Sequence, residues 1–150
     1  VCRIFKPSGQ QKGVEIRLSG NSYQKSLGPE IFEIVPYVLL DNGIKYAPDR
    51  SKIEVDVRDV GSEVVLTVAS YGPLIKPNEL GAIFEKGFRG ESAQAVSSGS
   101  GIGLYLMREI VVKHFGGSVA AEQSGGDRLH LDGRTYYLTS FSVVLPSIVS

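Results

Sequence analysis

The residues best suited to chemistry lie in the third quarter of the chain. A run of small and polar residues, 92–98, leads into Gly99-Ser100-Gly101-Ile102-Gly103-Leu104, and an apolar, helix-like segment follows. Glycines let the backbone approach a ligand closely, and the first turn of a helix has free N–H groups and a partial positive charge. The pattern therefore predicts a corner where Gly99, Gly101 and Gly103 present backbone amides to an anion such as a phosphate chain.

A glycine triplet by itself is also typical of a tight turn between a strand and a helix. This triplet does not follow a predicted strand, as a dinucleotide-binding turn would, and it lacks the Gly-Lys-Ser/Thr of a Walker loop. The segment 85–98 that precedes it has instead the composition of a lid over a bound phosphate chain.

The composition of the chain excludes several classes of function. The 150 residues are 42% hydrophobic and 21% charged, with a formal net charge of zero. This balance fits one globular domain, 1–150, and argues against a broad electrostatic grip on nucleic acid or anionic lipid. One cysteine and two histidines, without metal-ligand spacing, argue against an internal disulfide or a zinc site. No apolar run could span a bilayer and no signal peptide is visible, while the lack of an initiating Met suggests a fragment of a longer protein.

Hydrophobic periodicity predicts the elements that position the glycine corner. Helices are predicted at 27–46, 79–84 and 104–115, and strands at 14–18, 51–58, 64–69, 118–122 and 135–145. A polar loop with a turn at Gly125-Gly126-Asp127 and another at Asp132-Gly133 should join the last two strands. The order predicts a two-layer α/β sandwich, with a mixed, mostly antiparallel sheet and helices on one face.

The first long helix should bury one face and present the neighbouring face to a ligand. Pro36 lies inside this predicted helix and should cost roughly 3 kcal/mol unless the helix bends there. The residues expected on the buried face are Ile34, Tyr37, Leu40 and Ile44. The residues expected on the neighbouring face are Val38, Asn42, Lys45 and Tyr46.

Several motifs, in order along the chain, resemble one family. Residues 40–48, Leu-Asp-Asn-Gly-Ile-Lys-Tyr-Ala-Pro, resemble the asparagine box of the ATP-binding catalytic domain of sensor histidine kinases. Residues 72–75 resemble the remnant of its first glycine box, 83–90 its phenylalanine box, 99–104 its second glycine box and 141–146 its closing strand. This resemblance implies the Bergerat fold, which gyrases, MutL-type ATPases and heat-shock chaperones share.

The resemblance also implies roles for individual residues toward ATP and Mg²⁺. Asn42 should offer its amide oxygen to the metal, Lys45 should reach a phosphate as a point charge, and Tyr46 should line the pocket. A solvated lysine and a core tyrosine remain alternatives for the last two. Arg89 in the lid should clamp a phosphate unless it is merely solvated. The other implied nucleotide-binding residues are Ser70, Gly72, Ile75, Phe84, Gly99, Ser100, Gly101, Ile102, Gly103 and Leu104.

The function implied by the resemblance is that of the catalytic domain of a two-component sensor kinase. Mg²⁺·ATP would bind under the lid, and its γ-phosphate would pass to a histidine on a separate dimerisation domain of the same protein. A response regulator would be an indirect partner, the domain would be cytoplasmic, and no contact with nucleic acid or membrane is expected. Neither His114 nor His130 has the context of a phosphoacceptor, so this chain alone should not autophosphorylate.

Departures from the family pattern leave a second interpretation open. Ser70 stands where the family has a base-reading aspartate, Leu74 where it has a glycine, and Val38 where it has a second polar residue beside the metal. A hydrogen bond to a charged acceptor contributes roughly 1.5–3 kcal/mol and a neutral one about 1, which predicts roughly tenfold weaker adenine binding. Because Ser70 can donate as well as accept, base preference could also be relaxed.

The alternative function is a degenerate domain with weak or no ATP binding that serves docking or signal relay. A different ATPase of the same fold is disfavoured, because valine at position 38 cannot activate water as a general base would.

Overall fold

The computed structural model describes residues 12–20, 33–88 and 102–146, which contain one five-stranded sheet in the order β1-β2-β3-β5-β4. The strands are β1 (Glu15–Ser19), β2 (Lys52–Val60), β3 (Glu63–Gly72), β4 (Ser118–Leu131) and β5 (Arg134–Pro146). Strand β1 is parallel to β2, and every other neighbouring pair is antiparallel. The predicted mixed, mostly antiparallel sheet is therefore confirmed.

Two helices lie on one face of this sheet. Helix α1 spans Ile34–Tyr46, and α2 spans Gly103–Glu109 and continues through a π-helical turn, Ile110–His114. Instead of the short helix predicted at 79–84, a single 3₁₀ turn forms over Ala82–Phe84. Alternate residues of β2, β3 and β5 join the helices in one hydrophobic core, whose most buried members are Val35, Leu39, Leu40, Ile53, Val68, Met107, Val111 and Val143. The two-layer α/β architecture is confirmed.

The rotation of α1 differs from the prediction. Ile34 and Tyr37 are 39% and 47% exposed, whereas Val35 and Leu39 are buried. Apolar residues occur on nearly every side of this helix, so periodicity alone does not select the face that meets the sheet. Because α1 begins at Ile34, Pro36 lies in its first turn, where no intrahelical N–H donor is required, and the predicted cost does not arise.

The hairpin of β4 and β5 is longer than predicted. The expected polar loop after residue 122 is wrong, because β4 continues to Leu131. The turn predicted at Gly125-Gly126-Asp127 is also wrong: these residues lie within β4, where its pairing with β5 is irregular between Gln123 and Arg128. Such an irregularity absorbs extra residues without ending the ladder. The turn at Asp132 and Gly133 is present, with positive φ at both residues.

The C-terminal end of α1 is fixed by a lysine from outside the helix. Lys12 Nζ donates hydrogen bonds to the carbonyl oxygens of Ile44 (2.7 Å) and Ala47 (2.8 Å). A cation at this position also interacts favourably with the helix dipole. The contact holds the end of α1 beside the start of β1, and so fixes the helix that carries Asn42 and Lys45. No helix within the described ranges is long and apolar enough to cross a membrane.

Candidate functional site

A cavity of about 310 Å³ lies between α1, the loop after β3 and the start of α2, and strands β3 and β5 form its floor. It brings together residues from widely separated parts of the sequence. The predicted nucleotide-binding residues that line it are Asn42, Lys45, Tyr46, Ser70, Gly72, Ile75, Gly103 and Leu104.

Other predicted residues lie elsewhere. Phe84 is buried behind the cavity wall, where its ring packs edge-on against Phe141 with the ring centroids 6.4 Å apart. Ile102 precedes α2, is 36% exposed and does not line the cavity. The positions of Arg89, Gly99, Ser100 and Gly101, and most of the predicted lid, lie outside the described residues.

Three close contacts between α1 and the neighbouring segments show that the cavity runs along α1. A Cβ atom built at Gly103 would lie 3.4 Å from Cγ1 of Val38, so α2 meets α1 at that point. A Cβ atom at Gly43 would lie 3.5 Å from Oγ of Ser70, and one at Gly72 would lie 3.9 Å from Cβ of Tyr46. The start of α2 is therefore at one end of the cavity, and the ends of β3 and α1 are at the other.

The α1 wall of the cavity carries an amide and a cationic group. Asn42 is one helical turn after Val38 and lines the cavity, and its side chain has no hydrogen bond to any residue that the structure describes. Lys45 is half-buried on the same wall, with Nζ 5.8 Å from the centroid of the Tyr46 ring. An amide and an ammonium group can bind oxygen-rich anions and the cations that accompany them.

The floor of the cavity, formed by the strands, is neutral. Ser70 on β3 and Thr139 on β5 are direct cross-strand neighbours, and both are buried, with 8% and 5% of their surface exposed. Gln123 on β4 is the cross-strand neighbour of Thr139 on its other side, and its Nε2 donates to Thr139 Oγ1 at 2.8 Å. The three strands thus place a row of polar, uncharged side chains beneath the cavity.

Several cavity residues were not assigned to the site from the sequence. They are Tyr37, Val38, Leu39, Asp41, Gly43, Tyr71, Pro73, Leu74, Ile83, Phe88, Thr139 and Phe141. Most of them fall inside or beside the motif segments, and that proximity could have identified them. Thr139 and Phe141 are alternate residues of β5, and only the pairing of β5 with β3 shows that they face the cavity.

Comparison with known proteins gives a consistent set of matches. Residues 29–146 match the family model described as histidine kinase-, DNA gyrase B-, and HSP90-like ATPase. Sensor histidine kinase CusS of Escherichia coli O6:H1 (strain CFT073) is 32% identical over 129 residues, which are 85% of this chain and 27% of CusS. The chain thus spans about a quarter of the length of this curated relative.

Solved structures with the same fold include the mycobacterial sensor histidine kinase MprB. Its TM-score is 0.78 at 24% identity, covering 97% of this chain and 92% of that one. Full-length ShkA in complex with AMPPNP has a TM-score of 0.74 at 20% identity, covering 99% of this chain and 28% of ShkA. At these identities the likeness shows the fold alone, and the predicted Bergerat architecture is confirmed.

Proposed function

We propose that this chain, which belongs to the histidine kinase-, DNA gyrase B-, and HSP90-like ATPase family, is the ATP-binding catalytic domain of a two-component sensor histidine kinase. The observation that carries the proposal is a single cavity in which Asn42, Lys45 and Gly103 line one part and the neutral pair Ser70 and Thr139 lines another. A nucleoside triphosphate has both matching parts, charged phosphates and an uncharged base.

The triphosphate would lie along α1 toward the start of α2. Val38 and Tyr46 are eight residues apart, which is about 12 Å along a helix and suits the span from phosphates to base. Lys45 would contact a phosphate oxygen, and the backbone at Gly103 can approach the phosphates closely because it carries no side chain.

The donor set also fits a magnesium ion. Mg²⁺ prefers oxygen ligands and is commonly held by one or two protein groups together with substrate phosphates. Asn42 lines the cavity and its side chain has no hydrogen bond to any described residue, so its side-chain oxygen would hold the ion. When bound, the ion would neutralise charge on the β- and γ-phosphates.

Phosphoryl transfer needs positioning and charge neutralisation rather than a strong base from this domain. The acceptor would be a histidine on a dimerisation domain: its ring nitrogen attacks the γ-phosphorus, a P–N bond forms, and ADP leaves with the electron pair of the broken P–O bond. His114 and His130 are exposed and do not line the cavity, which fits an acceptor from elsewhere.

The same proposal also covers the extent of the domain, its location and its partners. The chain 1–150 would act as one domain in the cytoplasm, with a lid over 85–98 and with the response regulator as an indirect partner. Nucleic acid and membrane would not be partners. The curated relative is named as a sensor kinase, and no comparison favours the degenerate alternative.

Calorimetric titration of the chain with AMPPNP, with and without Mg²⁺, tests the binding step. We expect binding of one nucleotide per chain that weakens at least tenfold when Mg²⁺ is removed. Incubation with γ-labelled ATP should leave the chain unlabelled, but should label an added histidine-bearing dimerisation domain. Absence of binding at millimolar nucleotide would contradict the proposal.

A further inference from the structure

A second groove lies on the face of the sheet opposite α1 and α2. Its volume is about 320 Å³, and ligand-binding clefts begin at about this size. The described residues that line it are Gly13, Glu15, Arg17, Arg50, Ser51, Lys52, Tyr71 and Leu129. Of these, Tyr71 also lines the nucleotide cavity, and the others take no part in the proposed nucleotide site.

The strand register places the groove on this face. Glu15 on β1 pairs with Lys52 on β2. Lys52 precedes Ile53, which is buried beneath the helices, and Tyr71 follows Ser70, the β3 partner of Ile53. Because side chains alternate between the two faces along a strand, Glu15, Lys52 and Tyr71 form a row across three strands on the face away from the helices.

The end of the β4–β5 hairpin supplies the apolar side of the groove. Strands β1 and β4 are the two edges of the sheet, so four strand spacings, or roughly 19 Å, separate them in a flat sheet. Leu129 of β4 nevertheless lines the groove together with Glu15 and Arg17 of β1. The irregular pairing between Gln123 and Arg128 allows β4 to bend there, and the hairpin end therefore reaches across this face.

The charges along β1 and β2 alternate in sign and are held apart. Arg17 Nε lies 3.1 Å from Glu15 Oε1, and Lys52 Nζ lies 3.3 Å from Glu54 Oε1. Each ion pair lies within its own strand, so the two cations do not converge on one point as the ligands of a free phosphate would. Alternating charges instead match a chain that carries several charged side chains in a fixed register.

Arg50 contributes a cation that the other groove residues do not neutralise. Its φ of 64° is uncommon for a residue with a side chain, and its backbone N–H donates to the carbonyl oxygen of Lys12 at 2.9 Å. Its side chain has no hydrogen bond or ion pair with any residue that the structure describes. Unfavourable backbone conformations persist mainly at binding sites, and a guanidinium group can bind a carboxylate through two parallel hydrogen bonds.

We propose that this groove binds an extended acidic segment of a partner protein. Carboxylates of the segment would contact Arg50 first and then Arg17 and Lys52, while an apolar side chain would pack between Tyr71 and Leu129. The hydroxyl of Tyr71 has no hydrogen bond within the described part of the chain, so it can bond to the backbone of the segment. This contact lies on the face of the domain opposite α1 and α2 and does not depend on the proposed nucleotide binding.

Fluorescence anisotropy with a fluorescein-labelled peptide, Glu-Asp-Phe-Glu-Asp, tests the proposal on the whole chain. We expect saturable binding that weakens as salt is added. A peptide with lysine in place of the four acidic residues should not bind, and one with glycine in place of phenylalanine should bind at least threefold more weakly. Displacement of the peptide by inorganic phosphate, but not by sodium chloride at equal ionic strength, would assign the groove to a compact anion and overturn the proposal.

Arg50→Gly is the most informative variant. Glycine adopts a positive φ without strain, so the protein should stay folded, which circular dichroism checks, while peptide binding should weaken at least fivefold. Arg108→Ala is the matched control, because Arg108 is exposed on α2, on the other face, and should bind the peptide as the wild type does. Equal losses in the two variants would indicate attraction by charge alone and overturn the proposal.

Leu129→Ala tests the apolar contact separately. It should weaken the phenylalanine peptide at least threefold and leave the glycine peptide unchanged, a difference that a general loss of stability would not produce. Absence of saturable peptide binding to the wild type at millimolar concentration overturns the proposal, and so does unchanged binding in Arg50→Gly. Neither result affects the nucleotide site, which AMPPNP titration tests independently.

Discussion

The backbone N–H of Ile75 donates a 2.8 Å hydrogen bond to the side-chain oxygen of Gln123, 48 residues further along the chain. The same side chain donates to the carbonyl oxygen of Pro73. The edge strand β4 thereby holds the loop after β3, which closes one side of the cavity. This loop contains Leu74, where the sequence departs from the glycine-box pattern.

The first prediction concerns this link. Gln123→Ala removes the partners of Ile75 and Pro73, so we expect the free energy of unfolding to fall by about 1–3 kcal/mol. Urea denaturation measures the change. Glu122→Ala is the matched control, because Glu122 is the exposed neighbour on the other face of β4 and should change stability by less than about 0.5 kcal/mol. Equal effects of the two substitutions would show that the Gln123 bonds contribute nothing.

The second prediction concerns Asn42. Asn42→Ala should weaken Mg²⁺·ATP binding at least tenfold and leave metal-free ATP binding nearly unchanged, because the side chain is assigned to the ion. Stability should be unchanged or slightly higher, since alanine favours a helix more than asparagine does. Asn78→Ala, at an exposed position away from the cavity, is the control and should bind as the wild type does. Calorimetry with and without Mg²⁺ separates the effects, and equal losses in both conditions would refute the metal role.

The third prediction concerns the pH dependence of stability at Lys12. Burial lowers the pKa of Lys12 from its ordinary value of 10.5, against a smaller upward influence of Asp49. Between the lowered pKa and 10.5 the unfolded chain binds more protons than the folded chain, so the contribution of Lys12 to stability rises with pH. Lys12→Met should cost about 1.5–3 kcal/mol at neutral pH through the lost bonds to Ile44 and Ala47, and the deficit should grow toward pH 10.5.

Lys113→Met is the control, because the contribution of Lys113 to stability should change with pH in the opposite direction. A hydrogen bond with Glu109 raises the pKa of Lys113, so its contribution is fully present below 10.5 and is lost as pH rises through the raised value. Urea denaturation of both variants between pH 7 and pH 10.5 provides the comparison. A Lys12→Met deficit that shrinks with rising pH would contradict the assignment of burial as the main cause.

The fourth prediction concerns the junction between α2 and β4. A Cβ atom at Gly117 would overlap the backbone carbonyl oxygen of Val144 and lie 3.1 Å from Cγ1 of Val111. Val144 is paired with strands on both sides, so its carbonyl cannot move away easily. Gly117→Ala should therefore lower the free energy of unfolding by about 3 kcal/mol.

Gly81→Ala is the matched control for that substitution. Gly81 has a negative φ of −81° and open space around the added Cβ, so the change should be neutral or stabilising by about 0.4–1 kcal/mol. Thermal unfolding followed by circular dichroism ranks the two variants. If the Gly117→Ala protein were as stable as the Gly81→Ala protein, the junction between α2 and β4 would have room for a Cβ atom, and the prediction would be wrong.

The length of the β4–β5 hairpin and the face of α1 that meets the sheet could not be predicted from the sequence. Pairing between β4 and β5 continues past the glycines at 125 and 126, because each ladder bond depends on a partner strand that local composition does not reveal. Likewise, Val35 rather than Ile34 meets the sheet, because both are apolar and only packing distinguishes them.

The sequence by itself determined the order of the main elements, the fold class and the placement of Asn42 and Lys45 on one helix. Asn42 and Lys45 are three residues apart on one helix, and helix geometry converts that spacing directly into a shared face. Only the tertiary structure decided that Ser70, Thr139 and Gln123 form one row beneath the cavity. They come from three strands, and their alignment depends on the register of two strand pairs, a long-range property that no local pattern encodes.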